Sequence, residues 1–239
     1  MKHNIRNSLI LLLATILFGM GSLFRGSTAS AGIIMKFSDM NKQNPAYSSV
    51  LYVTSMDYMN VYKNAKFKPK KAVTKADAAK FVGKATDIDN QARLSNSINF
   101  EDVSQKTTNY SYIIALTAID AFDNDPKFHP KNTITRQEAA KLFVTAFGLP
   151  MKTGKKYIDV STNNSYIDYI STASSYNILK GSSSKKFQPT KKMNRADFAI
   201  ALKKSLDAKE KIDEMMNEEM DDDQDSPDHD LDETISEEE

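Results

Sequence analysis

The chain has 239 residues, of which 40% are hydrophobic, and it contains neither cysteine nor tryptophan. Without cysteine it has no disulfide framework, thiolate zinc site or thiol nucleophile. With three histidines (His3, His129 and His229), a serine triad would depend on His129, which argues against most hydrolases. The net charge of +1 hides a split: residues 32–206 hold 27 basic and 14 acidic groups (net +13), and residues 207–239 hold 2 and 17 (net −15). A basic body with an acidic tail points to polyanionic partners.

Residues 1–31 have the features of an export signal. Lys2 and Arg6 precede an apolar run from Leu9 to Phe18, and Ala29-Ser30-Ala31 offers the small-x-small pattern of a signal peptidase site. An uncleaved membrane anchor is the alternative, but the run is shorter than the ~20 residues that span a bilayer. We therefore predict a signal peptide at residues 1–31 and a secreted protein with no membrane span after cleavage.

The body contains three copies of one series of landmarks. Each copy opens with an aromatic-x-aspartate, and the copies are spaced by 63 and 57 residues: Phe37-Ser38-Asp39, Phe100-Glu101-Asp102 and Tyr157-Ile158-Asp159. A Phe-x-Pro follows about 30 residues later in each: Phe67-Lys68-Pro69, Phe128-His129-Pro130 and Phe187-Gln188-Pro189. A four-residue block comes next: Thr74-Lys75-Ala76-Asp77, Thr135-Arg136-Gln137-Glu138 and Asn194-Arg195-Ala196-Asp197. The same order three times indicates an array of three repeats, at residues 32–86, 98–148 and 155–206.

Each repeat is predicted to be two helices around a structured loop. Apolar periodicity places the first helices at Tyr47–Tyr58, Tyr110–Ala121 and Tyr166–Ile178. The second helices begin at the four-residue blocks, whose Thr or Asn is an N-cap with an acid at capping-box spacing; Glu138 fits the box best. The proline fixes the loop, and its phenylalanine is expected to fill the gap between the two helices of the unit. Such small pairs cannot bury their faces alone, so we predict an all-α fold in which three pack together.

A cation occupies the first position of every second helix: Lys75, Arg136 and Arg195. Positive charge there opposes the helix dipole, at a cost of roughly 0.3–1 kcal/mol, so its recurrence suggests a ligand. The helix start offers free N–H groups to an anion, and the side chain adds charge. The alternative is a salt bridge to a carboxylate such as the aspartate of aromatic-x-Asp. On the ligand interpretation, alanine at these positions leaves the fold intact.

The order of these landmarks resembles the S-layer homology (SLH) repeat, and Ile134-Thr135-Arg136-Gln137-Glu138 is close to that family's motif ITRAE. The resemblance covers about residues 37–206 and implies a pseudo-threefold, mainly helical spindle of three repeats. It implies a non-catalytic protein of the Gram-positive cell surface that binds anionic, typically pyruvylated, secondary cell-wall polysaccharide linked to peptidoglycan. In this family the motif cation contacts the sugar in grooves between repeats. We expect no enzyme activity, cofactor, bound metal or nucleic-acid partner.

The sequence departs from the family pattern at several places. The family's tryptophan near the start of the first helix is absent, and Tyr47, Tyr110 and Tyr166 lie close to that place. The glycine after the first helix is matched by Gly181, with Asn64 and Asn124 near the corresponding turns. The predicted ligand-binding residues are the motif cations, the motif acids, the aspartates of aromatic-x-Asp and the tyrosines: Lys75, Arg136, Arg195, Asp77, Glu138, Asp197, Asp39, Asp102, Asp159, Tyr47, Tyr110 and Tyr166.

Residues 207–239 form an acidic tail. Apolar residues continue among charges over residues 205–220, which predicts an extension of the last helix, whereas residues 221–239 are too acidic to fold and are predicted to be disordered. The tail is interpreted as a solvating segment, a contact for the basic body, a weak calcium binder or a site for a protein partner. A second hypothesis for the whole chain is an exported acidic calcium-binding or chaperone-like protein that uses the repeats as a scaffold.

Overall fold

The structure is a computed structural model that describes residues 36–88 and 98–222, with side chains described up to Glu218. The predicted signal peptide, residues 32–35, residues 89–97 between the first and second repeats, and residues 223–239 of the acidic tail lie outside the described residues. Over the two described ranges the chain forms six α-helices and one short 3₁₀ helix, with isolated β-bridges but no strand. The prediction of an all-α fold is confirmed.

The helices occur in three pairs, one pair to each repeat. Their bounds are α1 Tyr47–Ser55, α2 Lys75–Thr86, α3 Tyr110–Ala118, α4 Arg136–Ala146, α5 Ile167–Ser175 and α6 Arg195–Asp222. Each first helix ends three residues before the predicted end. The reason is a left-handed residue shortly after the last turn: Asp57 (φ 56°), Asp120 (φ 62°) and Asn177 (φ 58°). Aspartate and asparagine tolerate this conformation, so no glycine is needed there.

The second helices begin where the capping pattern predicts. Thr74 accepts a hydrogen bond from the Asp77 N–H at 3.0 Å. Thr135 and Glu138 form the full capping box, in which the Thr135 N–H also donates to the Glu138 carboxylate at 2.7 Å. Asn194 and Asp197 bond to each other in both directions. Each cap therefore fixes the residue after it, the motif cation, as the first residue of a helix.

The closest helix contacts run between repeats, which agrees with the prediction that the three helix pairs pack together. Each first helix packs most closely on the second helix of a different repeat: α3 on α2, α5 on α4, and α1 on α6. The second helices meet at the centre, where the ring of Phe198 lies 6.0 Å from that of Phe81 and 5.0 Å from that of Phe143. Since the third repeat packs back on the first, the three repeats close into one ring.

A closed circle of backbone hydrogen bonds repeats this arrangement just before the second helices. The Ile134 N–H donates to the Val73 carbonyl, Met193 donates to Ile134, and Val73 donates to Met193, each at 3.0 Å. All three side chains are buried. Every repeat gives and receives one bond, and this is the pseudo-threefold symmetry of the body.

The last helix continues to Asp222, through the segment where the sequence favours an extension. Ala208 and Ile212 are still buried, whereas Met215 and Met216 are about half exposed. The helix thus leaves the packed body after about residue 212. In the part of the chain that the structure describes, no helix combines the length and the apolar content that a membrane span requires.

Candidate ligand-binding junctions between the repeats

The Phe-x-Pro element of each repeat lies in a loop, and we name these loop 1 (residues 60–72), loop 2 (121–133) and loop 3 (180–192). In loop 1, the two carboxylate oxygens of Asp39 accept the N–H groups of Phe67 at 2.9 Å and Lys68 at 2.8 Å. The same pair of bonds holds the other loops: Asp102 with Phe128 and His129, and Asp159 with Phe187 and Gln188. The aspartate of aromatic-x-Asp is therefore a clamp on the loop of its own repeat.

The clamp stabilises a left-handed residue in the loop. Lys68, His129 and Gln188 have φ values of 59°, 57° and 62°, and the buried phenylalanine before each anchors the turn. Burial raises the pKa of Asp102 and of Asp159, but the hydrogen bonds from the two loop amides outweigh it and leave both pKa values below their ordinary range. These aspartates hold the backbone in their charged form, and their predicted contact with a ligand remains a prediction.

The amides at the start of the second helices are not available to a ligand. In α4 the Arg136 N–H donates to the Lys191 carbonyl at 3.0 Å, and the Gln137 N–H donates to the Pro189 carbonyl at 2.9 Å. The equivalent bonds tie α2 to loop 2 and α6 to loop 1. The third N–H of each helix is taken by the cap. The expectation that free amides would bind an anion is therefore wrong for the first three N–H groups, because the next repeat accepts two of them and the cap residue accepts the third.

The two motif arginines are fastened between repeats. Arg195 Nε donates to the Phe67 carbonyl at 2.9 Å and Nη2 to the Asn60 carbonyl at 2.6 Å, with the guanidinium carbon 4.5 Å from the centre of the Phe67 ring. The residue is 2% exposed, and burial lowers its pKa. Arg136 repeats this geometry on the carbonyls of Phe187 and Lys180. Neither free anion binding nor a carboxylate salt bridge describes these contacts, in which a planar fork bridges two carbonyls.

The motif lysine makes weaker contacts in the same place. Lys75 Nζ lies 4.6 Å from the centre of the Phe128 ring and 3.7 Å from a carboxylate oxygen of Glu138. A single ammonium group lacks the fork that spans two carbonyls. We use "junction" for each loop together with the motif cation that it receives: loop 1 with Arg195, loop 2 with Lys75 and loop 3 with Arg136.

The three tyrosines do not occupy one equivalent position. Tyr47 and Tyr110 are the first residues of α1 and α3, but Tyr166 precedes α5 and corresponds to Ala46 and Asn109 of the other repeats. The Tyr166 hydroxyl donates to Asp123 of loop 2, and burial together with that bond raises its pKa. Tyr166 thus reaches into the loop 2 junction, and the role of the three rings in sugar binding remains a prediction.

A charged cluster at the loop 2 junction was missed by the sequence analysis. Lys141 of α4 lies 2.8 Å from a carboxylate oxygen of Asp120 and 2.8 Å from one of Asp123, and the lysine residue is 8% exposed. Burial alone lowers the pKa of Lys141, but the two carboxylates outweigh it and raise the pKa. The available signal was a lysine in the apolar stretch of α4, between Ala140 and Leu142.

No group of three or more acidic or histidine side chains in the described ranges is arranged to hold a metal ion.

The loops differ strongly in charge although each is held by the same aspartate clamp. Loop 1 and loop 3 each hold five lysines and no acidic residue, and all ten lysines are exposed: Lys63, Lys66, Lys68, Lys70, Lys71, Lys180, Lys185, Lys186, Lys191 and Lys192. Loop 2 holds two lysines and two aspartates. The positive charge of the body is thus concentrated at two of the three junctions.

The fold and the junctions define a ring of three interlocked helix-loop-helix repeats, with exposed lysines on loops 1 and 3. The family model of the S-layer homology domain matches the chain three times, at residues 36–79, 99–140 and 156–199, which together exceed half of its length. The chain belongs to the S-layer homology domain family. The matches contain the loop clamp, the Phe-x-Pro element and the motif cation of every repeat.

A curated protein with a related sequence is the surface-layer 125 kDa protein of Lysinibacillus sphaericus. It is 28% identical over 162 residues, which cover 64% of this chain. The chain spans 13% of the length of that relative. The similarity therefore concerns a small part of the larger protein.

Proposed function

We propose that the chain is a non-catalytic cell-wall anchoring protein that binds an anionic, pyruvylated secondary polysaccharide in the junctions between its repeats. Membership of the S-layer homology family and the related surface-layer protein support a location at the bacterial cell surface. The polysaccharide is linked to peptidoglycan, so binding it would hold the protein on a Gram-positive wall.

The observation that carries the proposal is the concentration of exposed lysines on loops 1 and 3. Ten positive charges in two short segments create a strong local field, which attracts a polyanion and increases its rate of association. The loop backbones are fixed by Asp39 and Asp159, so the lysines are presented on a rigid frame. A rigid frame reduces the entropy cost of binding.

The predicted ligand-binding residues have different tasks in this proposal. Arg136 and Arg195 hold loops 3 and 1 in place and add positive charge to these junctions, while the exposed loop lysines make the first contact with the polymer. The clamp aspartates and the capping acids keep the loops and helix starts in place. Tyr47 and Tyr110 offer ring surface to sugars near the first helices.

Sedimentation with purified Gram-positive cell walls tests the proposal. The protein should sediment with walls that carry a pyruvylated polymer, and it should stay in the supernatant after hydrofluoric acid has removed the secondary polymer. A calcium-binding or chaperone-like protein that uses the repeats as a scaffold would not sediment in either case. Equal binding to extracted walls would overturn the proposal, because peptidoglycan alone would then suffice.

A further inference from the structure

One position distinguishes the three junctions more sharply than any other. Five residues before the phenylalanine of each loop, loop 1 has Tyr62, loop 2 has Asp123 and loop 3 has Ser182. In loop 1 the side chain at this position lies beside the motif cation: the Arg195 guanidinium carbon is 5.0 Å from the centre of the Tyr62 ring. In loop 2 the Asp123 carboxylate interacts with the charge of the motif cation Lys75, and in loop 3 the same sequence position carries the small hydroxyl of Ser182.

In loop 1 this position is surrounded by positive charge. Lys68 Nζ lies 4.3 Å from the centre of the Tyr62 ring, and Lys71 Nζ donates to the Tyr62 hydroxyl at 2.9 Å. Both lysines are exposed, and neither forms an ion pair with any carboxylate in the described ranges. The loop 1 junction therefore has exposed ammonium groups that could pair with the carboxylate of a ligand.

In loop 2 the chain supplies the carboxylate itself. Asp123 is partly buried and is bonded on one oxygen to Lys141 and on the other to the Tyr166 hydroxyl. Lys75 contributes a further favourable charge interaction. The two lysines beside Asp123, Lys75 and Lys141, also face Glu138 and Asp120 respectively. Three carboxylates therefore surround these two lysines, and neither lysine is left without a carboxylate of the chain.

We propose that Asp123 is a built-in anion that occupies the loop 2 junction, so that carboxylate ligands bind at the loop 1 and loop 3 junctions only. A second carboxylate beside Asp123 would meet a like charge at close range, which disfavours the charged form of both groups. Loop 3 has Ser182 at this position and holds five lysines and no acidic residue, so its junction stays open. The identity of the natural ligand rests on the proposed function, whereas the closure of loop 2 rests on the charges alone.

Amide NMR with sodium pyruvate as the probe tests this inference junction by junction. The N–H groups of Lys68, His129 and Gln188 each donate to a clamp aspartate and report on loops 1, 2 and 3. In the wild-type protein, pyruvate at constant ionic strength should cause saturable shifts at Lys68 and Gln188, beyond those from chloride, and none at His129. In Asp123→Asn the His129 amide should become a third saturable reporter.

Two further variants make the result decisive. Asp120→Asn removes a carboxylate from the same lysine but leaves Asp123 in place, so His129 should stay silent. Asp123→Ser introduces the residue that loop 3 has at this position, and it should open loop 2 as Asp123→Asn does. Saturable shifts at His129 in the wild-type protein, silence at His129 in both folded Asp123 variants, or silence at Lys68 and Gln188 would each overturn the inference.

The outcome is separable from that of the proposed function. If the protein fails to sediment with walls but pyruvate reports two open junctions and one closed, the inference stands and the polysaccharide is wrong. If it sediments with walls and all three amides respond equally, the proposed function stands and the inference falls. Because the wild-type titration needs no substitution, a variant that fails to fold does not remove the test.

Discussion

The loop 1 and loop 2 junctions share the same backbone contacts but differ in almost every charged group. Both have a clamp aspartate, a buried phenylalanine and two helix-start amides bonded to the neighbouring loop. Loop 1 receives a fully buried arginine and is surrounded by five lysines, whereas loop 2 receives a lysine and an internal ion-pair cluster. The backbone contacts of a junction and its charge are therefore set by different residues and can be changed separately.

The largest effect is expected for Arg195→Ala, at the loop 1 junction. It leaves the carbonyls of Phe67 and Asn60 without their donor and removes a cation packed on the Phe67 ring. We expect a loss of about 3–5 kcal/mol in the free energy of unfolding, measured by denaturant titration. Arg195→Lys keeps the charge without the fork and should recover less than half of this loss. Unchanged stability in Arg195→Ala would mean that the packing of the three repeats does not depend on the guanidinium.

The clamp is shared by all junctions, and Asp159→Asn should cost about 2 kcal/mol of stability because one acceptor oxygen becomes a donor. The pKa values of Asp102 and Asp159 are lowered in the folded protein. Their stabilisation is therefore complete above the unfolded pKa and is lost as pH falls through the folded pKa. Unfolding measured from about pH 6 to pH 2 should show falling stability in acid, with a shallower fall in the Asn variants. An identical pH profile in the variants would contradict this role.

Binding should respond to lysines of loop 1 more than to those of loop 2. Replacing Lys68 and Lys71 with glutamine should weaken wall binding roughly tenfold at low salt, and the difference should shrink as salt screens the charges. The matched control is the same change at Lys127 and Lys131, where Lys127 is already paired with Glu101 at 3.4 Å. Sedimentation isotherms at several salt concentrations measure both. Equal losses in the two variants would remove the distinction between the loops.

The smallest effect is expected for Lys75→Ala, the counterpart of Arg195→Ala at loop 2. The lysine makes one long ion pair with Glu138 and a ring contact, and both are worth less than a buried fork. We expect a change in stability of less than about 1 kcal/mol and little change in wall binding. A loss of stability as large as that of Arg195→Ala would show that the two motif cations contribute equally to the stability of the fold.

Local features of the fold could be read from the sequence because they depend on neighbouring residues. The caps at Thr74, Thr135 and Asn194 are set by side chains three positions apart, and all three form as expected. The helix dipole argument was also local, and it predicted that alanine at Arg195 would leave stability unchanged. The structure leads to the opposite prediction, since Arg195 donates to two carbonyls that lie more than 120 residues away in the chain.

Long-range features could not be predicted for the same reason. An apolar face shows that a helix is buried but not which helix covers it, so the packing of α1 on α6 was not foreseen. The ion pairs of Lys141 were not predicted because its partners, Asp120 and Asp123, lie before α4 in the chain. The loops themselves were predicted. The effect of their different charges on binding could not be predicted, because it depends on which motif cation each loop contacts.

The closed circle of hydrogen bonds through Val73, Ile134 and Met193 fixes how many repeats this architecture can contain. In an open solenoid, a duplicated unit stacks on the end and the array grows. Here each segment already gives one bond and receives one, and Phe81, Phe143 and Phe198 fill the centre. A fourth copy would find no free N–H or carbonyl in this circle. The loss of one copy would leave one N–H and one carbonyl of the remaining two segments without a partner. Longer proteins of this kind are therefore expected to evolve by adding whole rings or unrelated domains rather than single repeats.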